Sequence, residues 1–162
     1  MAFNPKESLF AQIRNDDLNP RAGTQHAVVA AATIDGVIRD IGKKPHLLKI
    51  DVEGFEPLVL RGAGALLATE EPPALLFEWN PLTLREVGHS PEQLAALLRR
   101  FRIHYIDDFE GGRKALGEEI PDPVALTWAC NLFAYIPGGK SEEIWERLGE
   151  TDRRLRSPEK GG

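Results

Sequence analysis

With 162 residues, 42% of them hydrophobic, the chain can bury one proper core, so a single domain is expected. A formal net charge of −5 gives no electrostatic reason to expect nucleic acid or an anionic membrane as a partner. The lone cysteine, Cys130, excludes an intramolecular disulfide and fits a reducing, cytoplasmic setting. The opening MAFNPKES lacks the basic-then-apolar pattern of a signal peptide, and the longest apolar run, about 124–136, is short for a bilayer span.

In chain order, the first pattern is helical. Over 7–18, Leu9, Phe10 and Ile13 fall at helical spacing, closed by Pro20 and Gly23. A short apolar strand, QHAVVAA, follows at 25–31. Thr33 can cap a second helix whose Ile34, Val37, Ile38 and Ile41 repeat at i, i+3, i+4 and i+7; Gly42 and Pro45 end it, and that face is expected to be buried. The stretch 47–60, LLKIDVEGFEPLVL, reads as a strand that stops at a carboxylate and turns on a glycine into a helix. Its apolar residues have the pattern of a strand covered on both faces, expected to lie between the strands at 25–31 and 74–80. Pro57 suits a first helical turn, and the helix is expected to run to about Thr69 despite Gly62 and Gly64.

Pro72 and Pro73 forbid helix and introduce ALLFEWN, 74–80, a second buried strand ending on Glu78. Ser90, Pro91 and Gln93 form a capping-box helix start, with Leu94, Leu97, Leu98 and Phe101 as its buried stripe. A strand is expected over 103–106, a loop over the Gly-, Pro- and charge-rich 109–123, and a longer strand over 126–136, pairing antiparallel with 103–106 because no helix separates them. A last helix over 141–155 places Ile144, Trp145 and Leu148 on one face. Strands alternating with helices predict a three-layer α/β fold whose sheet is mostly parallel, with an antiparallel last strand. Cys130, Trp79 and Trp128 are read as packing residues.

Chemistry concentrates at the carboxyl ends of the strands, where open α/β sheets bind ligands. Asp51, Glu53 and Glu56 follow one strand; Glu78 and Asn80 end the other; His89 lies in the next loop. Two readings of the acidic turn stand side by side. It is a solvated helix start whose carboxylates complement the helix dipole, or it is a site. Asp51, Glu78 and Asn80 would also suit a hard divalent cation, although no spacing rule enforces one.

The segment KIDVEGFEPLVLRGA, Lys49 to Ala63, followed by a strand ending in Glu78, resembles the signature of the FkbM family of S-adenosylmethionine-dependent methyltransferases. TIDGVIRDIG resembles the segment before that signature, and NLFAYIP its last strand. The resemblance implies a Rossmann-like class I methyltransferase domain over 1–140, followed by a C-terminal helix and polar tail over 141–162. It implies S-adenosylmethionine as cofactor and methylation of an oxygen on a small-molecule or glycan acceptor; a divalent metal is not expected, since the spacing of the carboxylates does not enforce one. Carried onto this sequence, Asp51, Glu53 and Glu78 become the catalytic carboxylates, and Lys49, Asp51 and Gly54 the cofactor contacts. Glu56, Asn80 and His89 become substrate or supporting residues, and Lys49 is expected to pair with a carboxylate and keep it ionised.

Departures from the family pattern set further expectations. No Gly-rich turn precedes the helix at Glu7, and Asn4 and Pro5 stand where an acidic ribose-binding residue is sought. The N-terminal cofactor-binding segment is therefore expected to be missing from a sheet shortened on that side. A homodimer or a completing partner chain is the expected remedy, since open strand edges tend to pair. Two other functions remain open: a non-catalytic partial domain working through a partner, and a carboxylate- or metal-dependent transferase or hydrolase.

Overall fold

The structure is a computed structural model that describes residues 2–3, 25–26, 30–107 and 115–156. The helix expected over 7–18 lies outside these residues. Ala2–Phe3 (β1) and Gln25–His26 (β2) form a small antiparallel pair of their own. The main sheet holds Leu47–Ile50 (β3), Ala74–Trp79 (β4), Arg102–Asp107 (β5), Ala115–Glu119 (β6) and Cys130–Tyr135 (β7), in the order β3-β4-β7-β5-β6.

The chain is thus mixed α/β, but its sheet is not mostly parallel. Only β3 and β4 pair in parallel, with Leu47 opposite Ala74 and Ile50 opposite Phe77. β7 lies antiparallel between β4 and β5, and β6 pairs antiparallel with β5. β3, β4 and β5 run the same way, yet β7 separates the last two. The antiparallel pairing expected between the strands near 103–106 and 126–136 is present as β5 and β7.

The expected neighbour of β3 is also corrected. β2 pairs with β1, so among the described residues β3 is an edge strand, not a central one. Its side chains explain why the apolar run misled: Leu47 is 42% exposed, Lys49 is exposed, and only Ile50 is fully buried. A lysine within a short strand is a common device for protecting an edge.

Side chains alternate across the sheet and divide the core in two. Leu75, Phe77 and Trp79 of β4 pack on one face with Leu60, Leu84, Leu94 and Leu98. Ala74 packs on the other with Phe133 and Tyr135 of β7, together with Ile144 and Trp145. The last two belong to Lys140–Arg156 (α6), expected over 141–155, so helices cover both faces of the sheet. Leu148 stays 40% exposed.

The helices form where local chemistry specifies them. Ile34–Ile41 (α1) starts at Thr33, whose hydroxyl accepts from the Gly36 amide at 3.1 Å, and ends on Gly42 at φ 71°. Its apolar face, expected to be buried, is not: α1 has no buried residue, and Ile41 is 63% exposed. The helix is held by its N-terminal end instead. The Asp35 amide donates to the Gly62 carbonyl, and the Asp35 carboxylate accepts from the Ala65 and Leu66 amides at 2.8 and 3.0 Å.

Those bonds also explain why the helix expected to reach Thr69 is two pieces, Glu56–Arg61 (α2) and Gly64–Leu67 (α3). The glycines weaken helix continuity, and Asp35 supplies α3 with acceptors for its first amides. Pro81–Glu86 (α4) was not foreseen; Asn80 caps it, accepting from the Leu82 and Thr83 amides. Pro91–Leu97 (α5) has the expected capping box at Ser90 and Gln93.

The loop expected over 109–123 contains β6. Gly117 makes that strand feasible, since a Cβ there would lie 2.7 Å from the Tyr105 carbonyl oxygen. The strand expected over 126–136 is confined to β7, because the chain before it is irregular and presents the Leu126 carbonyl to the Trp79 indole N–H at 3.2 Å. Among the described residues no helix is long and apolar enough to cross a membrane.

Candidate active site

The carboxylates gather where β3 and β4 end side by side. After Ile50 the chain continues through Asp51 and Val52 into a tight turn, with Glu53 at φ 53° and Gly54 at φ 97°. Left-handed backbone is costly for a residue with a side chain, so Glu53 must be held there by its surroundings. Gly54 is required for a second reason: a Cβ would lie 2.5 Å from the Thr83 carbonyl oxygen of α4. The turn is thereby wedged against the helix that Asn80 caps.

Glu56 closes the turn from inside. Only 2% exposed, it accepts from the Val52 and Gly54 amides at 3.2 and 3.3 Å. Burial pushes its carboxyl above the ordinary value, although those two amides pull it back. Its place is behind the turn, so it supports the site.

Asp51, Glu53 and Glu78 each bring one oxygen to within 4.8 Å of the others. Lys49 reaches the Asp51 Oδ2 at 2.7 Å, with both side chains about half exposed. Such an exposed pair is worth at most about 1 kcal/mol, but it offsets local negative charge. Glu78 lies deeper. Its Oε2 is buried with no hydrogen-bond partner. Burial raises its carboxyl above the usual range first, and the charges of Glu53, Asp51 and Glu56 raise it further; the Asn80 side chain pulls the other way.

His89 packs edge-on against Phe55, ring centroids 6.1 Å apart, and its Nε2 is buried without a partner. It adjoins the turn through Phe55. Asn80 joins the site as the cap of α4 and as a neighbour of Glu78.

Sequence reading passed over Asn131, which lies directly opposite Glu78 across the β4–β7 pair. A polar residue at the start of an otherwise apolar strand was the available signal. Of the residues read as packing, Trp79 and Cys130 are buried; Trp128 is not, being 54% exposed. It precedes Cys130, which pairs with Trp79, and so lies toward the carboxylate end of the sheet. The cleft of about 170 Å³ lined by Lys44, His46, Pro72 and Lys140 is at the opposite end, where Lys140 pairs with Glu71 at 2.6 Å.

Comparison with protein families fits this arrangement. The model of the methyltransferase FkbM domain matches residues 4–105, which include β3, the glycine turn, β4 and Glu78. The chain belongs to the FkbM methyltransferase family. No curated protein and no solved structure matched it. The FkbM match ends within β5, so β6, β7 and α6 complete the sheet and its second face from sequence beyond it.

Proposed function

We propose that this chain works as an S-adenosylmethionine-dependent methyltransferase, transferring a methyl group to an oxygen of a small-molecule or glycan acceptor. The observation that carries the reading is the convergence of Asp51, Glu53 and Glu78 at the end of the parallel strands, with the Glu78 Oε2 buried and unpartnered. These residues fit the cationic end of the donor: three carboxylates face one another, and Lys49 offsets only Asp51. When bound, the donor supplies the methyl group as part of a sulfonium cation.

The chain's own residues divide the remaining work. Asp51 and Glu53 place negative charge beside the cation. Glu78, whose carboxyl burial raises above the ordinary value, accepts the hydroxyl proton of the acceptor. Glu56 and Gly54 keep the turn in register, so orientation rather than bond-making is their contribution. A second reading rests on the same 4.8 Å spacing, which suits a divalent cation held by hard oxygen ligands and serving transfer or hydrolysis.

Calorimetric titration with S-adenosylmethionine and S-adenosylhomocysteine, repeated with Asp51→Ala and with magnesium or calcium alone, separates these readings. The proposal expects binding at about micromolar concentration, a −8 kcal/mol interaction, weakened at least tenfold in the variant. Absence of binding up to about millimolar cofactor overturns it and favours a non-catalytic partial domain. Binding of the metal alone favours the second reading.

A further inference from the structure

The outer edge of β3 has an unusual degree of self-complementarity. The His46 carbonyl accepts from the Ala74 amide at 3.0 Å. In a parallel ladder the bonding direction alternates, so His46, Leu48 and Ile50 turn their backbone groups toward β4, and Leu47 and Lys49 turn theirs outward. Among the described residues no strand meets that outward side. Beside it in the chain stands α1, with Val37 42% and Ile41 63% exposed.

Charge is arranged along the same edge. Lys43 and Lys44, both exposed, precede β3; Asp51 and Glu53 follow it. An antiparallel partner with the same sequence would meet each basic end with an acidic one. A parallel partner would set like against like.

We infer that two copies of this chain pair antiparallel through β3, about a two-fold axis at Leu48, extending the sheet across both. The register follows from the residues. Centred on Leu47, Lys49 would face Pro45 of the second copy, which has no N–H to give. Centred on Lys49, the two ammonium groups would stand directly opposite. Centred on Ile50, Leu47 would face Glu53, whose φ of 53° has already turned the chain away. Only the Leu48 register lets Leu47 and Lys49 exchange both backbone bonds with their counterparts. It also brings Lys43 and Lys44 of each copy alongside the Asp51–Glu53 turn of the other, so each acidic site gains a basic border from the second copy.

The inference does not depend on the methyl-transfer reading, and its test measures association alone. The full chain is examined by sedimentation equilibrium, and a mass twice the 18.0 kDa of one chain is expected. Lys43→Glu combined with Lys44→Glu changes only exposed side chains and is expected to raise the dimer dissociation constant at least tenfold. Leu48→Cys is expected to form a disulfide between copies on mild oxidation, because residues directly opposite in a non-bonded pair have Cα atoms about 4.5 Å apart. Leu47→Cys is expected not to, since its counterpart across the seam is Lys49. Cys130 is buried and does not compete. A wild-type monomer at every concentration, as a covering segment of the same chain would give, overturns the inference. So does a dimer indifferent to the lysine reversals, or one cross-linked equally well through both cysteines.

Discussion

Glu56 accepts a hydrogen bond from the Gly54 amide at 3.3 Å, and this contact couples the buried interior to the shape of the acidic turn. The group responsible is itself strained electrostatically, because burial raises its carboxyl above 4.5. A raised folded-state value means that the contribution to stability is fully present below 4.5 and is lost as pH rises through the folded value. Glu56→Gln keeps an acceptor oxygen without the charge. Denaturant unfolding across the acid range is expected to show the variant gaining on the wild type as pH rises through that window. Parallel curves would contradict the burial argument.

Gly54 is the position least able to accept a side chain. At φ 97°, with a Cβ 2.5 Å from the Thr83 carbonyl oxygen, Gly54→Ala must both strain the backbone and push α4 away. A loss of about 2 kcal/mol or more is expected from such a combination. Thermal unfolding measures it, and a variant within about 0.5 kcal/mol of wild type would show that the turn relaxes freely.

The role proposed for Glu78 would separate binding from chemistry. If it accepts the acceptor's proton, Glu78→Gln should keep cofactor affinity within about threefold while methyl transfer falls about 10²- to 10⁴-fold. The expected wild-type rate rises with pH through the raised value of Glu78, as the carboxyl loses its proton. A variant that loses binding and rate together would make Glu78 a cofactor residue.

His104 lies on the opposite face of the sheet, between Tyr135 and Trp145, with ring centroids 5.6 and 4.3 Å away. Its Nδ1 and Nε2 lie 3.3 Å from the Gly117 carbonyl oxygen and the Tyr135 hydroxyl, an arrangement that suits a neutral ring donating to the first and accepting from the second. Burial lowers its proton affinity, while Gly117 and Glu119 raise it and Arg102 lowers it. With the folded value depressed below 6.5, the contribution is present above 6.5 and lost as pH falls through the folded value. His104→Gln is expected to flatten the acid limb of a stability profile below pH 6.5.

Several elements were readable because neighbouring residues specify them. Thr33 and Ser90 start helices through their own hydroxyls, and the Ile50–Asp51–Gly54 sequence announces a strand, an acidic end and a turn. Others depend on partners distant in sequence. β6 exists because Gly117 can approach Tyr105, and the break between α2 and α3 reflects an aspartate thirty residues away. The position of β3 was misread because hydrophobicity within one strand does not say whether a neighbour exists. At the site, three carboxylates could be grouped from strand ends alone. The burial that turns Glu56 inward and leaves the Glu78 Oε2 without a partner could not be read from spacing.

The place of β7 between β4 and β5 sets an order of events during synthesis. β4 and β5 leave the ribosome first, but each lacks its shared neighbour until Cys130–Tyr135 has been made. Until then Phe77 and Ile103 have no completed sheet to pack on, and two adjacent edges stay open to wrong pairing. The middle of this molecule is therefore assembled late, and the nascent chain depends on its final third for protection against aggregation.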